Sequence, residues 1–273
     1  LSHDLLEGCY ARTGLVSDVS VFEEYPASYL ADSRRRHRWI RGDWQIVSWL
    51  FAFVRDSTLK KQRNPLNLLS RWKIFDNLRR SLVAPATFLL LILSWTVLED
   101  PLFWTALITS LYLVPPIIIT VWKGIRKPGE QTWILHLYDM PGVIRNQLAV
   151  PLLTLAFLPY EAYISLDAIL RSCWRMAVSH RNLLEWTTHQ EAGRTGNPSI
   201  TETYLIMLPA AAIGAALLVG MALNPPAFPA IALFAVAWTL SPAIAWGISQ
   251  PVRPKTTSLT PVQERFLRRI ARK

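Results

Sequence analysis

The feature that most constrains the fold of this chain is a set of long segments without a charged residue. Four such segments, each about 17–23 residues long, lie at about 82–98, 102–122, 204–223 and 227–249. An apolar helix of about 20 residues is long enough to cross the hydrocarbon core of a bilayer. Prolines in or near these segments are compatible with membrane helices, where neighbouring groups can satisfy the freed backbone. The sequence therefore predicts a mostly α-helical membrane protein with about four spans.

The distribution of basic residues indicates how these spans cross the membrane. The chain of 273 residues contains 29 Lys and Arg and has a net charge of +10. None of these basic residues lies in the two predicted hairpin turns, at 99–101 and 224–226. Since Lys and Arg are enriched on the cytoplasmic side of membrane proteins, four spans would place every basic segment on that side. A fifth apolar run, at 147–166, would disturb this arrangement, so we interpret 147–188 as interfacial or re-entrant helices.

Composition and periodicity divide the chain into six predicted segments. The first carries a helix at 3–13, a short Val-rich strand at 15–22 and a second helix at 33–54. An amphipathic helix at 71–81 has apolar residues opposite basic ones, as do helices that lie in the headgroup plane. The first segment, 1–55, contains these first three elements, and the second, 56–81, contains a basic loop and the interfacial helix. The predicted transmembrane hairpins are 82–122 and 204–249, and cytoplasmic or interfacial helices at 123–203 lie between them. The sixth segment, 250–273, is predicted to be a cytoplasmic linker.

The stretch RRRHRWIRGDWQ, at residues 34–45, is the first candidate for a functional site. Helical spacing places Arg35, Arg38 and Trp39 on one face, and Gly42 leaves room there for a close approach. Two guanidinium groups can bind a diphosphate through paired hydrogen bonds. An indole beside them can stack on a sugar ring.

Other residues of the same stretch have weaker assignments. Asp43 could add hydrogen bonds to a ligand, and His37 is a secondary candidate for orienting one. The alternative for the whole stretch is a solvated basic surface beside the membrane, since runs of charge are usually solvated. That interpretation is kept for Arg34 and Arg36, which lie on other faces of the helix. Nucleic acid is a weaker partner because no nucleic-acid-binding module accompanies the arginines.

A second candidate is Asp4, in the stretch SHDLLEG. A carboxylate at the start of a helix commonly caps it or lies in its first turn. The functional alternative is a general base, with His3 beside it as a possible hydrogen-bonding partner. The two cysteines and five histidines of the chain have no spacing typical of a zinc site.

The order of these motifs resembles that of membrane-embedded inverting glycosyltransferases such as cellulose and hyaluronan synthases. SHD would stand for their acidic TED-type base motif, and RRHRW would stand for the QxxRW motif that precedes their membrane helices. The stretches LSHDLLEG, PASYLADSRRRHRWIRGDWQ, LSRWKIFDNLRRSLVAP, SHRNLLEWTT and LSPAIAWGIS look more like cyclic β-1,2-glucan synthases, in their glycosyltransferase and membrane regions. This second resemblance covers essentially the whole chain.

The resemblance implies a reaction and a location. Residues 1–55 would be the C-terminal piece of a GT-A-type α/β glycosyltransferase domain, followed by a helical transmembrane region of about four spans with interfacial helices. The enzyme would transfer glucose from UDP-glucose, with inversion, to a growing β-1,2-glucan that is later cyclised. It would lie in the bacterial inner membrane with its catalytic side in the cytoplasm.

The resemblance also implies roles for single residues. Asp4 would be the catalytic base, Arg35 and Arg38 would bind the diphosphate, and Trp39 would stack on the acceptor sugar, with His37 and Asp43 as further substrate-binding residues. A divalent metal, Mg²⁺ or Mn²⁺, would assist, with ligands expected upstream of residue 1.

Two departures from the pattern of these glycosyltransferases limit this transfer of roles. Arg35 occupies the place of the Gln in QxxRW, so the Gln's contacts cannot be carried over. The chain also begins at the base motif, so we expect a fragment that is inactive alone. Two alternatives stay open: a non-catalytic membrane anchor whose basic face binds lipid, and a processive synthase of the cellulose-synthase type.

Overall fold

A computed structural model describes residues 3–10, 14, 16–22, 26, 28–55, 60–181, 198–221, 228–251 and 260–270. Within these residues the fold is mostly α-helical, as predicted, with one pair of short strands. The helices are α1 (Asp4–Tyr10), α2 (Tyr29–Gln45), α3 (Leu68–Thr96), α4 (Pro101–Ile125), α5 (Trp133–Ala156), α6 (Leu158–Trp174), α7 (Ile200–Ile206), α8 (Leu208–Met221), α9 (Phe228–Ile248) and α10 (Pro261–Ile270). A 3-10 turn at Val47–Leu50 follows α2, and a π turn at Arg175–Ser179 follows α6. The strands β1 (Phe53–Arg55) and β2 (Lys61–Arg63) pair antiparallel.

Helix α1 lies within the predicted helix at 3–13, but two other predictions for the first 55 residues differ from the structure. The helix expected at 33–54 begins earlier, at Tyr29, and ends at Gln45. It begins at Tyr29 because Ser28 caps it, accepting a hydrogen bond from the Ala31 amide. The strand expected at 15–22 is wrong for 16–22, which form no strand. A run of valines favours a strand only where a neighbouring strand pairs with it. The assignment of 1–55 to a GT-A-type domain stays a prediction.

Helix α3 joins two segments that the sequence divides. The predicted interfacial helix at 71–81 and the predicted span at 82–98 form one continuous helix of 29 residues, Leu68–Thr96. The prediction separated them because charge gives way to apolar residues near 81, but helical hydrogen bonds do not depend on that change. At 1.5 Å per residue the helix is about 43 Å long. Its N-terminal part therefore projects beyond a bilayer core.

The turn between α3 and α4 is fixed by a single residue. Asp100 has a φ of 59°, in the left-handed region, which Asp adopts more readily than most residues do. Its side chain caps α4 by accepting a hydrogen bond from the Phe103 amide. Pro101 follows as the first helical residue, where its missing N–H costs nothing. The predicted tight turn at 99–101 thus reverses the chain.

Two helix pairs are bent in the same way. Helix α5 meets α6 at an angle of 63°, and α7 meets α8 at 80°. Both α6 and α8 restart with the dipeptide Leu-Pro, at 158–159 and 208–209. Proline favours the first turn of a new helix and cannot donate a hydrogen bond to the preceding one. The ambiguous apolar run at 147–166 is therefore divided at Phe157 between two helices.

Three described helices are long and apolar enough to cross a membrane: Leu68–Thr96, Pro101–Ile125 and Pro229–Ile248. The number rises to five if each bent pair counts as one span. The predicted span at 204–223 corresponds to the pair of α7 and α8, and the predicted interfacial region contains the pair of α5 and α6. Residues 182–197 of that region lie outside the described residues. The segment expected as a linker at 250–273 contains α10.

An aromatic cluster holds these apolar helices together. The ring centroids of Trp95, Phe234 and Trp238 lie 5.6–5.7 Å from one another. The indole N–H of Trp238 donates to the Leu155 carbonyl at 2.9 Å, and that of Trp95 donates to the Thr105 hydroxyl at 2.8 Å. The cluster thus joins α3 and α9, while its indole N–H groups reach α4 and α5. Buried indoles contribute a large apolar contact area, and the hydrogen bonds of their N–H groups avoid the cost of a buried donor without an acceptor.

Helix α2 lies between two further apolar clusters. At its N-terminal end, Leu30 packs with residues of α6, α8 and α9, including Tyr160 and Ala245. Just after its C-terminal end, Ile46 packs with Leu6 of α1 and with residues of α3. Both ends of the arginine-rich helix are therefore anchored to the remainder of the fold.

The close approach of α8 to α9 depends on Gly214. A Cβ atom at this position would lie 2.5 Å from the Thr239 amide nitrogen and 2.8 Å from the Ala235 carbonyl oxygen. We predict that Gly214→Ala forces the helices apart and destabilises the protein by about 1–3 kcal/mol. Thermal unfolding in detergent measures this change. Gly220→Ala in the same helix is the matched control, since no atom lies within 4 Å of a Cβ there. Equal melting temperatures for the two variants would contradict the prediction.

Candidate functional site

An open cleft of about 1520 Å³ lies between the polar helices and the apolar ones. Helices α1 and α2 form its polar wall, with several arginines and carboxylates. Residues of α3, α4, α5 and α6 form the opposite wall, which is more apolar. The residues predicted from sequence that line the cleft are Asp4, Arg35, Arg38, Trp39 and Asp43.

Asp4 is exposed at the first position of α1. The His3 carbonyl accepts the amide of Glu7, so His3 occupies the capping position and Asp4 the first turn. A carboxylate in the first turn interacts favourably with the positive end of the helix dipole. Because the side chain also lines the cleft, the position is compatible with both interpretations of Asp4.

His3 and Asp43 connect three helices at one end of the cleft. The Nε2 atom of His3 lies 3.2 Å from Oδ1 of Asp43. The same oxygen accepts a hydrogen bond of 3.1 Å from the Asn77 amide of α3. The His3 ring also fills the space beside Gly42, 3.4 Å from where a Cβ would lie. Gly42 lines the cleft, with the His3 ring as its nearest neighbour, and the expectation that it allows a close approach stays a prediction.

Arg35 and Trp39 form a stacked pair on the cleft face of α2. The Arg35 guanidinium lies 4.6 Å from the centroid of the Trp39 ring, within the range of a cation–π interaction. Its Nη2 atom donates to Oδ1 of Asp32 at 2.7 Å. The Trp39 side chain remains 58% exposed. An exposed indole backed by a fixed guanidinium offers a rigid surface on which a sugar ring can stack.

Arg36 is bound by a carboxylate from a distant part of the chain. Its Nη1 and Nη2 atoms donate to the two oxygens of Glu161, at 2.5 and 2.6 Å. The hydroxyl of Tyr29 donates to Oε1 of Glu161 at 2.5 Å. Such a two-pronged bond is the strongest geometry for a guanidinium and a carboxylate. The interpretation of Arg36 as a solvated basic residue is therefore wrong, because Glu161 of α6 binds its guanidinium, although 35% of the side chain is exposed at the cleft.

Burial and charge alter the ionisation of these groups. Burial raises the pKa of Tyr29 well above its ordinary value, and the neighbouring Glu161 charge raises it further. For Arg36, burial would lower the pKa, but the hydrogen bonds and charge of Glu161 outweigh it and leave the pKa raised. At neutral pH the tyrosine is therefore a neutral donor and the arginine a full cation.

His37 lies on a different side of α2. Its Nε2 atom is 2.8 Å from Oδ2 of Asp167 in α6, and His37 is absent from the residues that line the cleft. Burial lowers its pKa, although the hydrogen bond and charge of Asp167 oppose this shift. The structure therefore places His37 at the contact of α2 with α6, away from the other predicted site residues.

Glu161 and Asp32 line the cleft, although neither was among the predicted ligand-binding residues. Glu161 carries a signal in the sequence, since it is a charged residue in an apolar run, and a charge there is costly unless it lies at the interface or lines a cavity. The structure places it in the cleft wall. Asp32 carries no comparable signal, because an acidic residue in the first turn of a helix is common.

No group of three His, Cys, Asp or Glu side chains among the described residues could hold a metal ion. The residues that line the cleft thus do not fit a divalent metal by themselves. The metal ligands are expected upstream of residue 1, and that expectation stays a prediction.

The structure combines helices long enough to span a bilayer with a cleft that is lined by arginine and tryptophan side chains. The chain is a membrane protein with a polar ligand-sized cleft next to its spanning helices.

Comparison with known proteins narrows this class. No protein-family model matches the chain. Over its whole length it is 35% identical, across 281 aligned residues, to the curated cyclic beta-(1,2)-glucan synthase NdvB of Rhizobium meliloti (strain 1021). The predicted resemblance to cyclic β-1,2-glucan synthases is therefore confirmed. The chain spans 10% of the length of that relative.

Proposed function

We propose that the chain forms one side of the active site of an inverting glucosyltransferase that uses UDP-glucose to build cyclic β-1,2-glucan. The observation that carries this proposal is the shared cleft, into which Asp4, Arg35, Arg38 and Trp39 all face. The similarity to NdvB supports the product. Because the chain matches one tenth of that relative, it would act as part of a longer protein and be inactive alone.

The proposed chemistry is a single displacement at the anomeric carbon of glucose. The acceptor hydroxyl attacks that carbon, the bond to the UDP oxygen breaks, and Asp4 takes the hydroxyl proton. A well-placed base contributes about 10²–10⁴-fold to such a step. Arg35 and Arg38 balance the negative charge that develops on the leaving UDP, and preorganised charges of this kind are often the largest contribution.

The other residues of the site have supporting roles in this proposal. Trp39 offers its exposed ring to the acceptor sugar. Asp43 holds the His3 ring through their contact of 3.2 Å, which orients the start of α1 and so the position of Asp4. His37 acts on α2 through Asp167 and does not touch the substrate.

The setting of the reaction is also part of the proposal. The protein would lie in the bacterial inner membrane, with the cleft on the cytoplasmic side, because its basic segments favour that orientation. Mg²⁺ or Mn²⁺ would be held by residues outside this chain.

A basic amphipathic helix favours the second candidate, a membrane-anchoring module whose arginines bind anionic lipid. In α10, Val262, Phe266 and Ile270 are exposed and share one face at helical spacing. Arg268 lies on the opposite face. Helices with these two faces lie at membrane surfaces. Membrane anchoring is therefore the alternative to catalysis as the role of the arginines in α2.

The proposed base is tested by Asp4→Asn in the complete protein that carries this chain. We predict a loss of at least 10²-fold in glucose transfer from UDP-glucose, with nearly unchanged UDP binding, because only proton removal is lost. Radiolabelled transfer and calorimetric UDP titration measure the two quantities. Glu7→Gln is the matched control, since Glu7 lies in the same helix but outside the cleft. Near-normal transfer by the Asp4 variant would remove Asp4 from the mechanism.

A comparison of Arg38→Ala with Arg34→Ala distinguishes the glucosyltransferase from the lipid-binding module. Both substitutions remove one positive charge from α2, but Arg38 lines the cleft whereas Arg34 is exposed outside it. We predict that Arg38→Ala weakens UDP binding about tenfold, as expected for the loss of a charge-assisted hydrogen bond, while Arg34→Ala leaves it unchanged. If both variants bind UDP normally and lose affinity for anionic vesicles equally, the lipid-binding function is correct.

A further inference from the structure

One carboxylate in α2 connects two neighbouring arginines. The Oδ1 atom of Asp32 accepts from Nη2 of Arg35 at 2.7 Å, and its Oδ2 atom lies 2.9 Å from Nε of Arg36. Because each arginine uses a different oxygen, the orientation of one guanidinium constrains the other. Asp32 is therefore a bridge between the arginine of the cleft face and the arginine that faces α6.

The far side of this bridge is fixed by Glu161. Its carboxylate binds Arg36 through both oxygens, and its side chain is only 13% exposed. An unbroken series of contacts thus runs from Glu161 through Arg36 and Asp32 to Arg35, and from there to the Trp39 ring. It begins in α6, beside the spanning helices, and ends on the face of α2 predicted to bind substrate.

We propose that Glu161 and Asp32 are positioning residues that hold Arg35 and Trp39 in place for a nucleoside diphosphate and a sugar, acting through Arg36. This inference rests on the proposed function, since it assigns a purpose to the same cleft.

The physical reason is the flexibility of arginine. A free arginine side chain samples many rotamers, and fixing it costs up to about 2 kcal/mol of conformational entropy. Contacts that are already made in the unliganded protein remove this cost from ligand binding. Without the charge of Glu161, the Arg36 guanidinium is free to take both oxygens of Asp32. Arg35 would then lose its hydrogen bond to Asp32, and its place over the Trp39 ring would be less well defined.

Glu161→Gln tests the inference in the complete protein. We expect the KM for UDP-glucose to rise about tenfold, because a less well positioned Arg35 binds the diphosphate less tightly. We expect kcat to fall as well, because the same guanidinium balances the charge that develops on the leaving UDP. Glu264→Gln is the matched control, since it makes the same substitution at an exposed ion pair with Arg268 in α10. Asp167→Asn is the second control, because it weakens another contact of α2 with α6 and leaves the series intact.

Asp32→Asn removes the bridge while keeping the pair of Arg36 with Glu161. We expect the same rise in KM as for Glu161→Gln, with a smaller loss of melting temperature. This variant also keeps the test valid if Glu161→Gln folds poorly.

The double variant Arg36→Glu with Glu161→Arg separates positioning from simple stability. The exchanged charges can still pair between α2 and α6, so the melting temperature should recover. The new carboxylate at position 36 would face Asp32 and repel it, so the KM should remain raised. Recovery of both quantities would overturn the inference, as would equal KM values for Glu161→Gln and Glu264→Gln.

The measurements distinguish an error in the proposed reaction from an error in the proposed positioning of Arg35 and Trp39. If the wild-type protein transfers no glucose from UDP-glucose, the proposed function is wrong. The dissociation constant for UDP, measured by calorimetry, still reports on the cleft: a rise of about tenfold in Glu161→Gln, but not in Glu264→Gln, supports positioning. An unchanged dissociation constant overturns it.

Discussion

The arrangement of this structure depends on the ion pair between Arg36 and Glu161. A charged group removed from water is costly unless it is paired and hydrogen-bonded, and here both oxygens of the carboxylate are occupied by Arg36 and Tyr29. Removing Arg36 would leave the Glu161 charge partly buried and without this cation, whereas removing Glu161 would leave Arg36 with Asp32. The pair therefore fixes where α2 lies on α6, and with it the position of the cleft-facing residues Arg35 and Trp39.

The bend before α6 makes this pairing possible. Helix α5 ends at Ala156 and α6 starts after Phe157 at an angle of 63°. Glu161 lies in the first turn of α6, so the bend brings it to the cleft and to Arg36. A straight helix through this apolar run would continue past α2 instead. The proline at the start of α6 thus connects the shape of the membrane region to the chemistry of the cleft.

Periodicity and composition predicted what depends on neighbours in sequence. The helical phase of α2 placed Arg35, Arg38 and Trp39 together because 3.6 residues per turn is a local property, and the apolar runs predicted α3, α4 and α9 for the same reason. The pair of Arg36 with Glu161 joins residues 125 positions apart, so it depends on tertiary placement. The same holds for the occupation of the space beside Gly42 by His3. The prediction of a strand at 15–22 was wrong for 16–22 because strands need a partner.

An electron cryo-microscopy structure of the complete protein in lipid with UDP bound tests the central claim most directly. If the cleft is the nucleotide-sugar site, diphosphate oxygens will lie within about 3 Å of guanidinium nitrogens of Arg35 or Arg38. The claim is contradicted if UDP binds away from α2 while these guanidinium groups contact lipid phosphates.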